Sequence, residues 1–166
     1  MLTVIFNNPP EPPPADVPPL LEVENGKGHE LLTIRERLAS HRDRSDCAGC
    51  HVKIDPLGFA LENYSPVGTW RDAYRNGRDV DSSGTLFRKH HFATIEEFKD
   101  ALLAEKPRIA KAFAGHLLSF ALGRDLVAAD SPVLESIAAT AEKSEYRFQP
   151  LLKSIILSEP FLHEPN

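Results

Sequence analysis

The stretch "SDCAGCHVKIDPLG", Ser45–Gly58, holds both cysteines of the 166-residue chain, with a histidine directly after the second. Cys47-Ala48-Gly49-Cys50-His51 has the C-x-x-C-H spacing of c-type haem attachment. The reason is geometric. Two thiols three positions apart can each form a thioether with one of the two vinyl groups on the same porphyrin edge. The next imidazole then reaches the iron from the proximal side. Ala48 and Gly49 are small enough for the backbone to lie close to a macrocycle. Other chemistries share the motif. A zinc site needs four ligands, which Cys47, Cys50, His51 and His41 would supply in part or in full. A thioredoxin-like dithiol needs a βαβ context, and nothing before Cys47 reads as a buried strand. A structural disulfide inside C-x-x-C completes the set, and the motif alone leaves these readings open.

Outward from the motif, Leu31, Ile34, Leu38 and His41 recur at helical spacing and fall on one face of a helix leading into it. Seven of the fourteen prolines lie in the first nineteen residues, so Pro9–Pro19 reads as a stiff, extended spacer. "LTVIF", residues 2–6, reads as a strand tail entering that linker and Met1 as a cut within a longer polypeptide. After the motif, from Pro56 to about Gly84, the text is turn-rich ("DPLG", "SPVG", "RNG", "SSG") with short strands at Thr69–Tyr74 and Thr85–Arg88. Asp55-Pro56 and Gly58 are read as one of the turns, as is "DVDSSG", Asp79–Gly84.

Helical order returns downstream. "TIEE" is a capping box, Thr94 with Glu97, opening a helix with Ile95, Phe98 and Leu102 inward. Pro107 suits the first turn of the next helix, with Ile109, Phe113, Leu117, Phe120 and Ala121 on its face and a stop near Gly123. Ser131-Pro132 begins another, with Leu134, Ile137, Ala138 and Ala141 inward. Pro150 opens the last, with Leu151, Leu152, Ile155 and Ile156, closed by Pro160. The expected fold is therefore mostly α: a proline-rich extension over 1–28, a small module around the cysteine motif over 29–84, and a helical subdomain over 85–166.

Composition limits the function. The chain is 42% apolar and 26% charged, with 24 acidic against 19 basic residues and a net charge of −5. A net negative chain with its basic residues scattered among acids lacks the clustered Lys and Arg on which nucleic-acid binding rests. No apolar run approaches the roughly 18–20 residues needed to cross a bilayer. No nucleophile–base constellation and no phosphate-binding glycine loop is present.

The stretch "TIRERLASHRDRSDCAGCHVKIDPLGFALENYSPVGTWRDAY", Thr33–Tyr74, resembles the haem-motif domain of planctomycete-type cytochrome c-like proteins, multidomain secreted bacterial proteins with domains of unknown function. The proline-rich "NNPPEPPPADVPPL", the join "VDSSGTL", and "LLSFALGRDL" with "YRFQPLLKSIILSEPF" resemble the lead-in and the terminal domain of the same proteins. The resemblance implies a c-type haem module near the end of a longer exported polypeptide, with a periplasmic or extracytoplasmic location. By position, Cys47 and Cys50 match the thioether cysteines and His51 the proximal iron ligand. The implied role is one-electron transfer, with other domains of the parent polypeptide and redox proteins as partners. A haem enzyme with an open distal position is the second reading, and a zinc- or disulfide-stabilised interaction module the third.

The opposite face of the iron is less defined. The only methionine is Met1, so a sixth ligand would be a histidine, which lowers the potential relative to methionine. His41 and His116 lie on apolar helical stripes and are the distal candidates. His90 and His91 read as an exposed turn, and His29 and His163 as loose ends. Phe59 and Leu61 are expected in the core or against the porphyrin, as are Tyr64 and Trp70. Arg35, Arg42 and Arg71 are the candidates for pairing with haem propionates.

Overall fold

The computed structural model describes residues 1–12, 31–42 and 45–163, with backbone alone at 40, 41, 45 and 46. The described residues form eight α-helices and one two-stranded sheet, a mostly helical fold as the periodicity predicts. They divide into two compact units, one of residues 11–103 and the other of residues 1–10 with 104–166. The proline spacer falls largely outside the described residues.

In the unit of residues 11–103, α2 (Ile34–Arg42) leads to α3 (Ser45–Phe59), which packs on β1 (Gly84–Leu86). Thr33 caps α2. Its hydroxyl accepts from the Glu36 N–H at 3.3 Å, and the Glu36 carboxylate accepts from the Thr33 N–H at 2.9 Å, a reciprocal capping box. Helix α3 runs through Pro56, where the sequence suggested a turn. Proline removes a single ladder bond and its φ is already helical. The helix resumes its hydrogen bonding at once, with the Ala60 N–H donating to Pro56 O at 3.1 Å.

Residues 60–83 are a chain of tight loops rather than a strand, with isolated bridges at Tyr64–Trp70 and Ala73–Asp79. Arg71 holds them together. It donates through Nε to Glu62 O at 2.9 Å and through a terminal nitrogen to the Glu62 carboxylate at 3.0 Å. β1 pairs antiparallel with β2 (His90–Phe92), so the two histidines expected in a turn are in a strand. The hairpin turn needs positive φ at Phe87 and Arg88, 51° and 58°, the backbone that primed turns demand. Helix α4 (Ile95–Ala104) follows, with Ile95, Phe98 and Ala101 buried. Its capping box is present one residue displaced: Thr94 Oγ1 accepts from the Glu97 N–H, and the Glu97 carboxylate accepts from the Ala93 N–H.

In the second unit, α1 (Leu2–Phe6) packs on α5 (Lys106–Leu122). The predicted strand tail is thus a short helix, closed by Asn7 in the left-handed region and anchored by buried Phe6. Helix α5 ends at Gly123, whose φ of 64° suits the glycine of a C-cap. Its buried side is Ala112, Ala114, Gly115 and Leu118, while Phe113 and Phe120 of the expected face are 44% and 86% exposed. Small residues win the interior because they let neighbouring helix axes approach closely. Helices α6 (Ser131–Lys143) and α7 (Phe148–Ile156) pack on α5 and on each other. Leu118, Ile137, Ala141, Leu151 and Ile155 form their shared core with Ala114. Leu152 and Ile156 face outward. Pro160 does not close α7 but sits in the first turn of α8 (Glu159–Leu162).

Candidate functional site

The cysteine motif lies within α3. At about 100° per residue, positions 47, 50 and 51 fall within an arc of about 100° on one helix face. Cys47 is buried and Cys50 exposed, and neither is in a disulfide. His51 is the hinge of the arrangement. Its Nδ1 lies 2.8 Å from Asp55 Oδ1, one helical turn on, where side chains four apart meet. A carboxylate only accepts, so Nδ1 carries the proton of this contact.

Asp55 is itself buried, its side chain 8% exposed. Its second oxygen, Oδ2, lies 3.5 Å from Arg42 Nε. That approach is a charge contact and not a hydrogen bond, and both atoms are buried without a hydrogen-bond partner. Arg42 reaches the site from the end of α2, donating to Arg35 O at 3.3 Å. Both guanidinium groups attend the Phe59 ring, Arg35 at 4.1 Å and Arg42 at 5.7 Å from its centroid. Arg35 is fastened to the loop before β1 through Ser83 O at 2.6 Å and the Asp81 carboxylate at 3.0 Å. Desolvation raises the Asp81 carboxyl pKa, but hydrogen bonds from Ser83 and the Arg35 charge outweigh it and leave it below its ordinary value.

A cavity of about 300 Å³ opens beside the imidazole, walled chiefly by His51, Val52, Asp55, Phe59, Arg35 and Arg42. It is at the lower end of ligand-pocket sizes. Cys47 and Cys50 are not in its wall; they lie on the other flank of His51.

A c-type haem takes two thiols, one imidazole with its second nitrogen fixed, an apolar bed and cations for its propionates. The residues present fit that requirement. The thiols are unbridged, Asp55 orients the His51 ring, Phe59 and Val52 supply apolar wall, and Arg35 and Arg42 place two guanidinium charges beside it, their Nε atoms already facing Asp81 and Asp55. Among the described residues no three His, Cys, Asp or Glu side chains cluster as a metal-ion cage.

The other expected residues are distributed as follows. The side chains of His41 and His29 lie outside the described residues. His116 is exposed on α5 and donates from Nε2 to Thr3 O at 3.1 Å. His91 bonds Thr85 Oγ1 at 2.8 Å. Arg71 is committed to Glu62 and stacks on Tyr74 at 4.8 Å. Tyr64 and Trp70 meet edge to face at 5.3 Å, both substantially exposed, and the indole N–H donates to Asp72 at 2.9 Å. Phe59 is buried while Leu61 is 39% exposed. Asp55 is the site residue that the sequence reading missed. The signal was the four-residue spacing from His51, hidden because Asp-Pro reads as a turn.

Two family models match the chain. Residues 1–74 match one described as a protein of unknown function (DUF1588), and residues 88–161 match another so described (DUF1585). No curated protein and no solved structure matches it.

Proposed function

The chain belongs to the DUF1588 and DUF1585 families, which are found in planctomycete multihaem cytochrome c-like proteins, and from that premise we propose that it is a c-type haem module carrying single electrons. The observation that carries the reading is the 2.8 Å bond from His51 Nδ1 to buried Asp55. Imidazoles that ligate metals are held in this way, with the second nitrogen donating to a carboxylate or carbonyl. When bound, the haem would supply a one-electron Fe(III)/Fe(II) couple.

The chain's residues have separate tasks. Cys47 and Cys50 would hold the group through thioethers, and His51 Nε2 would be the ligand to its metal. Asp55 holds the ring against rotation, and Phe59 limits the access of water on that side. Arg35 and Arg42 offer guanidinium donors to carboxylates, a pairing that favours the planar fork of arginine. Because Cys47 is buried in the folded chain, its thioether would form before α3 packs. The module would act within a larger exported polypeptide, passing electrons to its other domains or to a separate redox protein. Among the described residues no helix is long and apolar enough to cross a membrane.

The test is expression in a bacterial periplasm with the haem-attachment machinery, followed by pyridine-haemochrome spectroscopy of the denatured chain. Wild type is expected to carry haem with two thioethers, Cys47→Ala or Cys50→Ala haem with one, and the double variant none. Colourless wild type, or equal colour in the double variant, would sink the assignment.

A further inference from the structure

The geometry points to Asp55 as a positioning residue that sets the reduction potential of the iron, with Arg42 acting on it in the opposite sense. This rests on the haem reading above and goes beyond it by naming what tunes the couple.

Asp55 would act through His51, the residue its Oδ1 contacts. A buried carboxylate is costly, and one with an oxygen lacking any hydrogen bond more so. The fold nevertheless keeps Asp55 with Oδ1 at 2.8 Å from His51 Nδ1 and Oδ2 buried and unbonded. A hydrogen bond to an anion draws the Nδ1 proton further from the ring than one to a neutral carbonyl would, so the ring becomes a more basic ligand. A more basic ligand and a nearby negative charge both favour Fe(III) over Fe(II), and the potential falls. Arg42 Nε, 3.5 Å from Oδ2, places a positive charge behind the carboxylate and offsets part of that effect. The pair therefore makes a prediction of sign. Removing the anion raises the potential, and removing the cation lowers it.

The experiment is redox titration of haem-loaded wild type, Asp55→Asn and Arg42→Gln, with haem content of each measured by pyridine haemochrome. For Asp55→Asn, the ratio of reduced to oxidised protein at a fixed ambient potential is expected to rise about tenfold, which is about 59 mV for a one-electron couple. For Arg42→Gln the ratio is expected to fall. Loosened packing that admits water to the iron would move both variants in one direction, so a shared sign overturns the inference. Unmoved potentials in haem-loaded variants overturn it too and leave the haem reading standing. Should Asp55→Asn fail to hold haem, Asp55→Ser, which keeps a hydroxyl acceptor without the charge, is titrated in its place: a rise supports the inference, no change or a fall ends it. Wild type without haem removes the reading of function and this inference with it.

Discussion

Gly84 and Phe92 face each other across the β1–β2 hairpin so closely that a Cβ on residue 84 would stand 2.6 Å from the Phe92 ring and 3.2 Å from Pro56. The ring cannot swing away, because it is buried and tilted against Phe98 with centroids 5.0 Å apart. Glycine at this point lets the strand lie against α3 beside the His51 cavity. Gly84→Ala is therefore expected to destabilise the fold by about 1–3 kcal/mol, the usual cost of overpacking. Urea unfolding would register it as a lower midpoint at unchanged slope. A midpoint equal to wild type would mean that the hairpin has slack the structure does not contain.

Arg124 grips Asp130 with both terminal nitrogens, at 2.8 and 3.0 Å, while the Val127 N–H donates to the same carboxylate at 2.8 Å. The hydrogen bonds from Arg124, then that from Val127, hold the Asp130 pKa down at about 2. A carboxyl depressed in the folded state stabilises it above the unfolded pKa, near 4, and loses that contribution as pH falls through about 2. The effect is on the order of 1–2 kcal/mol. Denaturant titrations from pH 6 down to about pH 2 should show this acid-side loss in wild type and a shallower one in Asp130→Asn. Parallel curves would refute the linkage.

Tyr74 has the opposite perturbation. Desolvation first, then the charge of Glu62 and the 3.1 Å hydrogen bond to it, push the phenol up to about 12, with Arg71 and Arg35 pulling the other way. The folded state therefore gains stability from neutral Tyr74 that is complete below about pH 10 and vanishes as pH rises through about 12. Glu62→Gln removes the anion but not the burial, and leaves the arginine charges unopposed. Its Tyr74 should ionise at lower pH than wild type, read as tyrosinate absorbance with Tyr74→Phe as the assignment control. An unshifted titration would assign the whole effect to burial.

What could be read from the sequence follows from how local each signal is. Thr94 with Glu97, Gly123, and the Ile137–Ala141 stripe are all local, and each lies where the pattern puts it or one residue away. Thr33 with Glu36 has the same spacing as Thr94 with Glu97 and caps α2 equally well, so that cap is legible in the sequence too. On α5 the buried face differs from the apolar stripe because periodicity weighs apolarity and not size. Phe113 and Phe120 are the strongest apolar residues there, yet the helix turns Ala114 and Gly115 inward. "LTVIF" and "DPLG" failed because tertiary packing overrides weak local preference in short segments. For the site, the two thiols and the imidazole were readable from spacing. The Asp55–His51 bond was readable only once Pro56 is known to lie inside the helix, since a turn there would carry the carboxylate away.

Gly115 is the counterpart of Gly84, with the opposite expected sign. It lies in the middle of α5, where glycine costs about 0.8–1 kcal/mol relative to alanine. A Cβ at 115 would meet Asn7 Nδ2 at 2.8 Å, then Leu134 and Leu126 at the ordinary contact distances of 3.7 and 3.9 Å. The one close neighbour is thus the tip of an exposed amide side chain, which can rotate outward, whereas at Gly84 it is a buried ring. Relief of the helix penalty should therefore outweigh the displacement, with an added methyl touching two leucines. Gly115→Ala is expected to stabilise the fold by about 0.5–1 kcal/mol, seen as a higher urea midpoint and a rise in Tm. A fall in both would mean that Asn7, in its left-handed backbone at the end of α1, is held too firmly to yield. In that case Gly115→Ala combined with Asn7→Gly should restore stability, because the glycine removes the obstructing amide and accepts the same backbone without strain.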